Sequence, residues 1–233
     1  MNKIFLILLL NTIVGFSQTD FNKLDEKGLK HGVWKGFFEE SKRLRYQGTF
    51  DHGKEIGTFN YFDDTKEASL LGVRVFEPND NSVYTTFFDQ KKNIVSEGKS
   101  VNKLKEGNWK YYHEASKEIM TLEIYKLGKL EGIRTVYYKS GKIAEETNYK
   151  NGIKVGVYKK LTETGIELEL ANYKNNEYDG LATYKDPENN IVSQGNFKNG
   201  KKVGIWKFYK SGKFESQTNF NFQGKKFAKR GKK

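Results

Sequence analysis

Three histidines and a handful of paired carboxylates are the residues of this chain best equipped for chemistry. Histidine can ligate a metal or carry a proton near neutral pH. His31, His52 and His113 are scattered, however, and none lies at a metal-ligand spacing from another. Each reads as a turn or surface residue: His31 precedes a glycine, His52 sits in a turn, and His113 follows a Tyr-Tyr pair. The carboxylate pairs Glu39-Glu40, Asp63-Asp64 and Glu145-Glu146 are adjacent in sequence. On a strand, adjacent side chains point to opposite faces, a poor arrangement for a shared acid/base site. Glu77, Asp80 and Asn81 could hold calcium loosely, but their spacing is not that of an EF-hand loop, and an Asn/Asp turn accounts for them. There is no phosphate loop, nucleophile elbow, HExxH or cysteine. The sequence therefore offers no catalytic, cofactor-binding or metal-ligating set.

What it does offer is a repeated phrase. Tyr149 to Tyr158 reads as a strand end, an Asn-Gly turn, then a second glycine opening an aromatic strand. The phrase recurs at Phe50–Phe59, Tyr125–Arg134 and Phe197–Trp206. Gly32, Gly57, Ser82, Gly107, Gly132, Gly156, Gly180 and Gly204 open successive strands at intervals of 24 or 25 residues. Two residues past each opener stand Trp34, Phe59, Tyr84, Trp109, Arg134, Tyr158, Ala182 and Trp206, so all 3 tryptophans share one position. Glycine or asparagine stands four residues before most openers, where a tight hairpin needs a positive φ. Ser140-Gly141, Thr164-Gly165 and Ser211-Gly212 mark turns within modules.

Each module predicts a β-hairpin, and eight of them predict an all-β repeat array: an elongated, twisted antiparallel meander. About sixteen strands at ~4.8 Å each would span roughly 75 Å. A single layer leaves a face uncovered, so the sheet must coil, dimerise or bind something. The rings two residues past the openers are expected to stack across strands as core, although exposed rings could instead grip glycans or a partner. Positions two and five past the opener have opposite parity, so both faces can carry rings. Glu77-Pro-Asn-Asp-Asn81 breaks the pattern and reads as a loop or bulge.

Residues 1–17 have a basic start, an apolar run from Ile4 to Leu10 and small residues before Gln18, the layout of a secretory signal peptide. The apolar run is too short for a membrane span. Without cysteine, neither a lipid anchor on cysteine nor a disulfide can form. Residues 18–31 then form a half-module cap, 32–224 the repeat domain, and 225–233 a basic tail. The formal net charge is +12, and its excess is concentrated after residue 196, where Glu215 is the one acid. Lys225, Lys226, Lys229, Arg230, Lys232 and Lys233 are candidate contacts for an anionic lipid or envelope polysaccharide. A frayed tail or a charged guard on the last strand would explain them too. Export argues against nucleic acid as the partner.

On the phrases Tyr149–Tyr158 and Phe197–Tyr209 the chain resembles the MORN-repeat variant family, which includes bacterial YwqK-type antitoxins. The resemblance runs from about Leu24 to Gly224 and is strongest from Gly107 onward. It implies a scaffold, a membrane-associated repeat module or an appendage to an enzyme, or a neutraliser that masks a toxin. The expectation is an exported, non-catalytic repeat protein, periplasmic or extracellular, presenting an extended β surface to a partner protein, with a homodimer as one way to cover it.

Overall fold

The computed structural model describes residues 20–222, so the signal-like segment 1–17 and the basic tail 225–233 lie outside the described residues. The strands are β1 (Lys23–Leu24), β2 (Lys30–Phe37), β3 (Leu44–Asp51), β4 (Lys54–Phe62), β5 (Leu70–Phe76), β6 (Ser82–Phe88), β7 (Ile94–Val101), β8 (Leu104–Tyr112), β9 (Ile119–Lys126) and β10 (Lys129–Leu130). They continue as β11 (Gly132–Tyr137), β12 (Ile143–Lys150), β13 (Ile153–Leu161), β14 (Glu167–Lys174), β15 (Glu177–Tyr178), β16 (Gly180–Lys185), β17 (Ile191–Lys198), β18 (Lys201–Lys210) and β19 (Lys213–Asn219). A 3-10 turn at Phe220–Phe222 follows. Strand pairs with next strand, antiparallel throughout, in one open meander. Among the described residues no helix is long and apolar enough to cross a membrane.

Among the described residues nineteen strands appear rather than sixteen, for local reasons. β1 folds back on β2, pairing Lys23 with His31, and supplies the half-module at the first edge. At Gly132 and Gly180 the long strand is interrupted, giving the short β10 and β15. Both breaks are the same device seen elsewhere as a bulge. In β13, Tyr158 lies opposite Thr147 but Lys154 lies opposite Tyr149, so the bulged strand carries extra residues at Gly156. Gly156 has φ 67°, a left-handed conformation in which a side chain would be strained.

The two ends of the strands carry different turns. At one edge, two-residue hairpins such as Asn151-Gly152 have φ of 52° and 81°, the type I′ geometry that matches strand twist. Each such turn also docks on the module before it: Gly53 N–H donates to Lys30 O at 2.8 Å, Gly128 to Lys105 O at 2.9 Å and Gly200 to Tyr178 O at 2.9 Å. Consecutive modules are thus tied by backbone hydrogen bonds as well as by strand pairing. At the other edge, three-residue loops close on acidic or hydroxyl side chains: Asp89 Oδ1 accepts from Lys91 N (2.9 Å) and Asn93 N (2.8 Å).

The core is thin and lies on one face of the sheet. Phe59 and Trp206 are 0% exposed, with Trp109, Tyr158, Ala171 and Ala182 also buried. Edge-to-face contacts link them to rings on neighbouring strands, Phe50 to Phe59 at 5.2 Å and Phe197 to Trp206 at 5.0 Å.

The third module departs from the expected pattern. Glu77–Asn81 forms the expected loop between β5 and β6, but the register runs without a shift from Gly72–Phe87 to Phe76–Val83, so the bulge found elsewhere is absent. Ser82 is not among the residues with positive φ. Without the bulge the strand phase moves by one: Thr85, opposite Gly98, takes the inward place and is buried. Tyr84, expected in the ring row, faces the other side and is 39% exposed.

Candidate interaction surface

Alternation along each strand divides the sheet into a ring face and an opposite face. On the ring face a three-part unit recurs. The ring two residues past the opener lies over a small residue on the preceding strand, and a lysine four residues before the ring covers it. Trp109 rests on Gly98 and Trp206 on Gly195, so close that any Cβ there would overlap the indole. Phe59 lies on Gly48 in the same way. Lys30, Lys105 and Lys202 place Nζ 4.4, 4.3 and 4.1 Å from the Trp34, Trp109 and Trp206 ring centroids. Each Lys-x-Gly-x-Trp stretch thus builds a cation–π contact across its own bulge. The indole N–H groups donate to backbone carbonyls, Trp109 to Lys99 O at 2.8 Å and Trp206 to Asn196 O at 3.0 Å.

Where the ring is missing, its support changes with it. Arg134 stands at the ring position, and Glu123 replaces the small residue beneath; Arg134 Nε lies 3.2 Å from Glu123 and its Nη1 3.4 Å from Glu145. Ala182 is matched by Ala171, and the space is filled by Tyr173, Tyr178 and Tyr184. Burial, with Glu169 beside them, pushes the Tyr178 and Tyr184 hydroxyls above their ordinary range and keeps them neutral. Phe87 on the ring face is 45% exposed, but around the tryptophans and Arg134 that face is covered by its own lysine stems and carboxylates.

The opposite face is not. One residue past the openers stand Ile133, Val157, Leu181 and Ile205, exposed by 42, 41, 54 and 51%. Their cross-strand partners are Asn148, Asn172, Asn196 and Asn219. The equivalents in the N-terminal half are Val33 (48% exposed), Thr58, Val83 and Asn108, so the unbroken aliphatic row belongs to the C-terminal half. With two strands per step of roughly 4.8 Å each, the four residues span about 29 Å. Two residues farther along each strand, Lys159, Thr183 and Lys207 lie on the same face, while Thr135 there is buried. An apolar row in a polar rim is the make-up of an interface core.

A cleft of about 810 Å³ opens beside the phase-shifted third module, lined by Glu55, Arg74, Phe76, Asp80 and Lys103 among others. Arg74 Nη1 lies 3.4 Å from Glu55 and its guanidinium 4.8 Å from the Phe76 ring centroid, so its charge is already balanced.

The residues singled out for chemistry fall as follows. Asp63 is buried and accepts from Thr65 and Ser69; these bonds, Thr65 first, hold its carboxyl below the ordinary value. Asp64 is bound by Ser41 and Arg43, so the neighbouring carboxylates serve separate turns. Glu145 faces Arg134 and Tyr158 on the ring face. Asp80 Oδ1 accepts from Ser82 N at 2.7 Å, an Asx turn rather than a calcium loop. His113 Nε2 lies 3.0 Å from Tyr137 O. His31 and His52, apart in sequence, are brought together, with ring centroids 4.7 Å apart. Gly32, Gly57, Gly107, Gly132, Gly156, Gly180 and Gly204 all have positive φ.

The family model described as MORN repeat variant matches residues 130–151 and 178–199. At these two hairpins the chain is similar to MORN-variant repeats. Each match runs from the residue two before an opener to the next inter-module turn, one full hairpin. They are also the modules with Arg134 and Ala182 in the ring position, so the repeat survives without its ring. The comparison with curated proteins returned no match. Among solved structures, one described as "Crystal structure of GtfA/B complex" is 18% identical with a TM-score of 0.29, covering 39% of this chain and 18% of its own. At that score it carries no argument here.

Proposed function

We propose that this chain is an exported, non-catalytic repeat protein that binds a partner protein across the face opposite its rings. The observation that carries this reading is the exposed row Ile133, Val157, Leu181 and Ile205 beside its asparagine ladder. The ring face has its own lysine cover, whereas this row has none from the described residues. Export rests on the pattern of residues 1–17, and the absence of chemistry on the dispersal of the carboxylates into turns. MORN-variant hairpins stacked by turn-to-turn hydrogen bonds make a stiff display surface, which suits binding or scaffolding.

Leu181→Glu with Ile205→Glu places two charges in the row without touching the ring core. If the row is the interface, a partner captured from an envelope extract by the wild-type protein is lost from this variant. Capture that ignores the variant but disappears in a few hundred millimolar salt would overturn the reading and assign the contact to the basic groups after residue 196.

A further inference from the structure

Position by position, the first inter-module turn departs from its equivalents at three adjoining places. The residue just before an opener elsewhere is often an acid that accepts the N–H of the next module's turn. Glu106 takes Leu127 N at 2.8 Å, Glu131 takes Asn151 N at 2.7 Å, and Asp179 takes Asn199 N at 3.4 Å. In the first module this same juxtaposition brings His31 against His52. The residue before the turn is lysine in four other modules (Lys126, Lys150, Lys174, Lys198), but here it is Asp51. Two imidazoles and a carboxylate replace a carboxylate, a turn amide and an ammonium.

We propose that His31, His52 and Asp51 bind a divalent transition metal, Zn²⁺ foremost, with Asp25 as the outer carboxylate that orients His52. One ligand atom from each of the three lies within 4.8 Å of the others. His31 Nδ1 is 3.5 Å and His52 Nε2 3.8 Å from Asp51 Oδ1. Tetrahedral zinc with bonds of about 2.1 Å holds its ligand atoms about 3.4 Å apart, so closure needs only small side-chain rotations. The ligands leave a coordination position for water. His52 is set for this role by its other nitrogen: Nδ1 meets Asp25 Oδ2 at 2.5 Å, which leaves Nε2 facing Asp51. Asp25 is itself fixed, its side chain only 8% exposed and its Oδ1 accepting from Lys27 N and Leu29 N at 2.8 Å each. A carboxylate behind a ligating imidazole is the usual outer-shell arrangement of a histidine metal site. The N-terminal cap, whose turn carries Asp25, thereby becomes part of the site. A metal there would tie the cap, the first module and the second together across the sheet edge.

The test is calorimetric titration of tag-free full-length protein with ZnCl₂ near neutral pH, with Co²⁺ absorption as a second readout. One equivalent is expected to bind, with visible d–d bands for cobalt. His31→Ala, His52→Ala and Asp51→Lys should each weaken binding by at least about tenfold, and Asp25→Asn by about tenfold. Asp51→Lys installs the residue four modules already carry, so it keeps the fold in which to read the loss. His113→Ala should bind as wild type. Absence of saturable zinc and cobalt binding, or equal binding by His31→Ala/His52→Ala, would overturn the assignment.

Discussion

The Trp206 indole packs so closely on the backbone of Gly195 that a single methyl group can break the contact. A Cβ built on Gly195 falls inside the van der Waals envelope of the ring, against Cγ and Cδ2. The ring cannot slide away freely. Its N–H is bonded to Asn196 O at 3.0 Å, Phe197 meets it edge-on at 5.0 Å, and Lys202 lies 4.1 Å above it. Forcing a methyl group into a well-packed site costs roughly 1–3 kcal/mol. Loss of the indole hydrogen bond adds about 1 kcal/mol. The stiffer unfolded chain that alanine gives returns about 0.4–1 kcal/mol. Gly195→Ala should therefore destabilise by about 1–3 kcal/mol. Gly72 is the control: it too is buried, but its added Cβ would meet Thr86 O at 3.5 Å and Phe87 at 3.7 Å, ordinary contact. Gly72→Ala should be neutral or stabilise by a few tenths of a kcal/mol. Urea denaturation followed by tryptophan fluorescence compares the two, and hydrogen exchange in β17 and β18 localises the effect. Equal stability of Gly195→Ala and wild type, or a larger loss at Gly72, would refute the ring-on-glycine account.

Three further outcomes follow from the same contacts. Lys105→Gln removes the cation from above Trp109, Tyr111 and Tyr125 and should lower stability by about 0.5–1 kcal/mol, read from the denaturation midpoint. Arg134→Ala leaves Glu123 without its ion-pair partner and held only by the Tyr125 hydroxyl, whereas Glu123→Gly with Arg134→Trp installs the pair found at Gly98 and Trp109; the double variant should be the more stable in thermal melts. The Asp25 hydrogen bond raises the pKa of His52 above its ordinary 6.5, and His52 in turn lowers that of Asp25 below 3.8. The contribution of the raised histidine is complete below 6.5 and lost as pH rises through its folded value; that of the lowered carboxylate is present above 3.8 and lost as pH falls through its own. Metal-free protein should hold this contact best between those two limits, and an NMR titration of His52 should move back toward 6.5 in Asp25→Asn.

Much of the architecture was legible because repetition exposes it. The glycine openers, the Asn-Gly turns and the ring row carry the hairpin period, and the meander follows from short connections between neighbours. Lys30-x-Gly-x-Trp34, Lys105-x-Gly-x-Trp109 and Lys202-x-Gly-x-Trp206 also carried a signal that went unread, because a lysine reaches its ring only through the bulge between them. The third module misled for the opposite reason. Ser82 keeps the spacing, but serine does not take up the left-handed opener conformation here, so the strand phase moves and Tyr84 turns outward. The histidine pair was hidden by sequence distance. It emerges when His31 is aligned with Glu106 and Glu131 and His52 with Leu127 and Asn151, since the sheet stacks those positions on one another.

In the proposed function the ring face serves the protein's own packing and the opposite face binds a partner. Affinity capture from an envelope extract tests it directly, using wild type and Leu181→Glu/Ile205→Glu at low and high salt. The account predicts one stoichiometric protein that survives high salt on the wild type and is absent from the variant. A captured species held equally by both proteins, or lost from the wild type in salt alone, would contradict it.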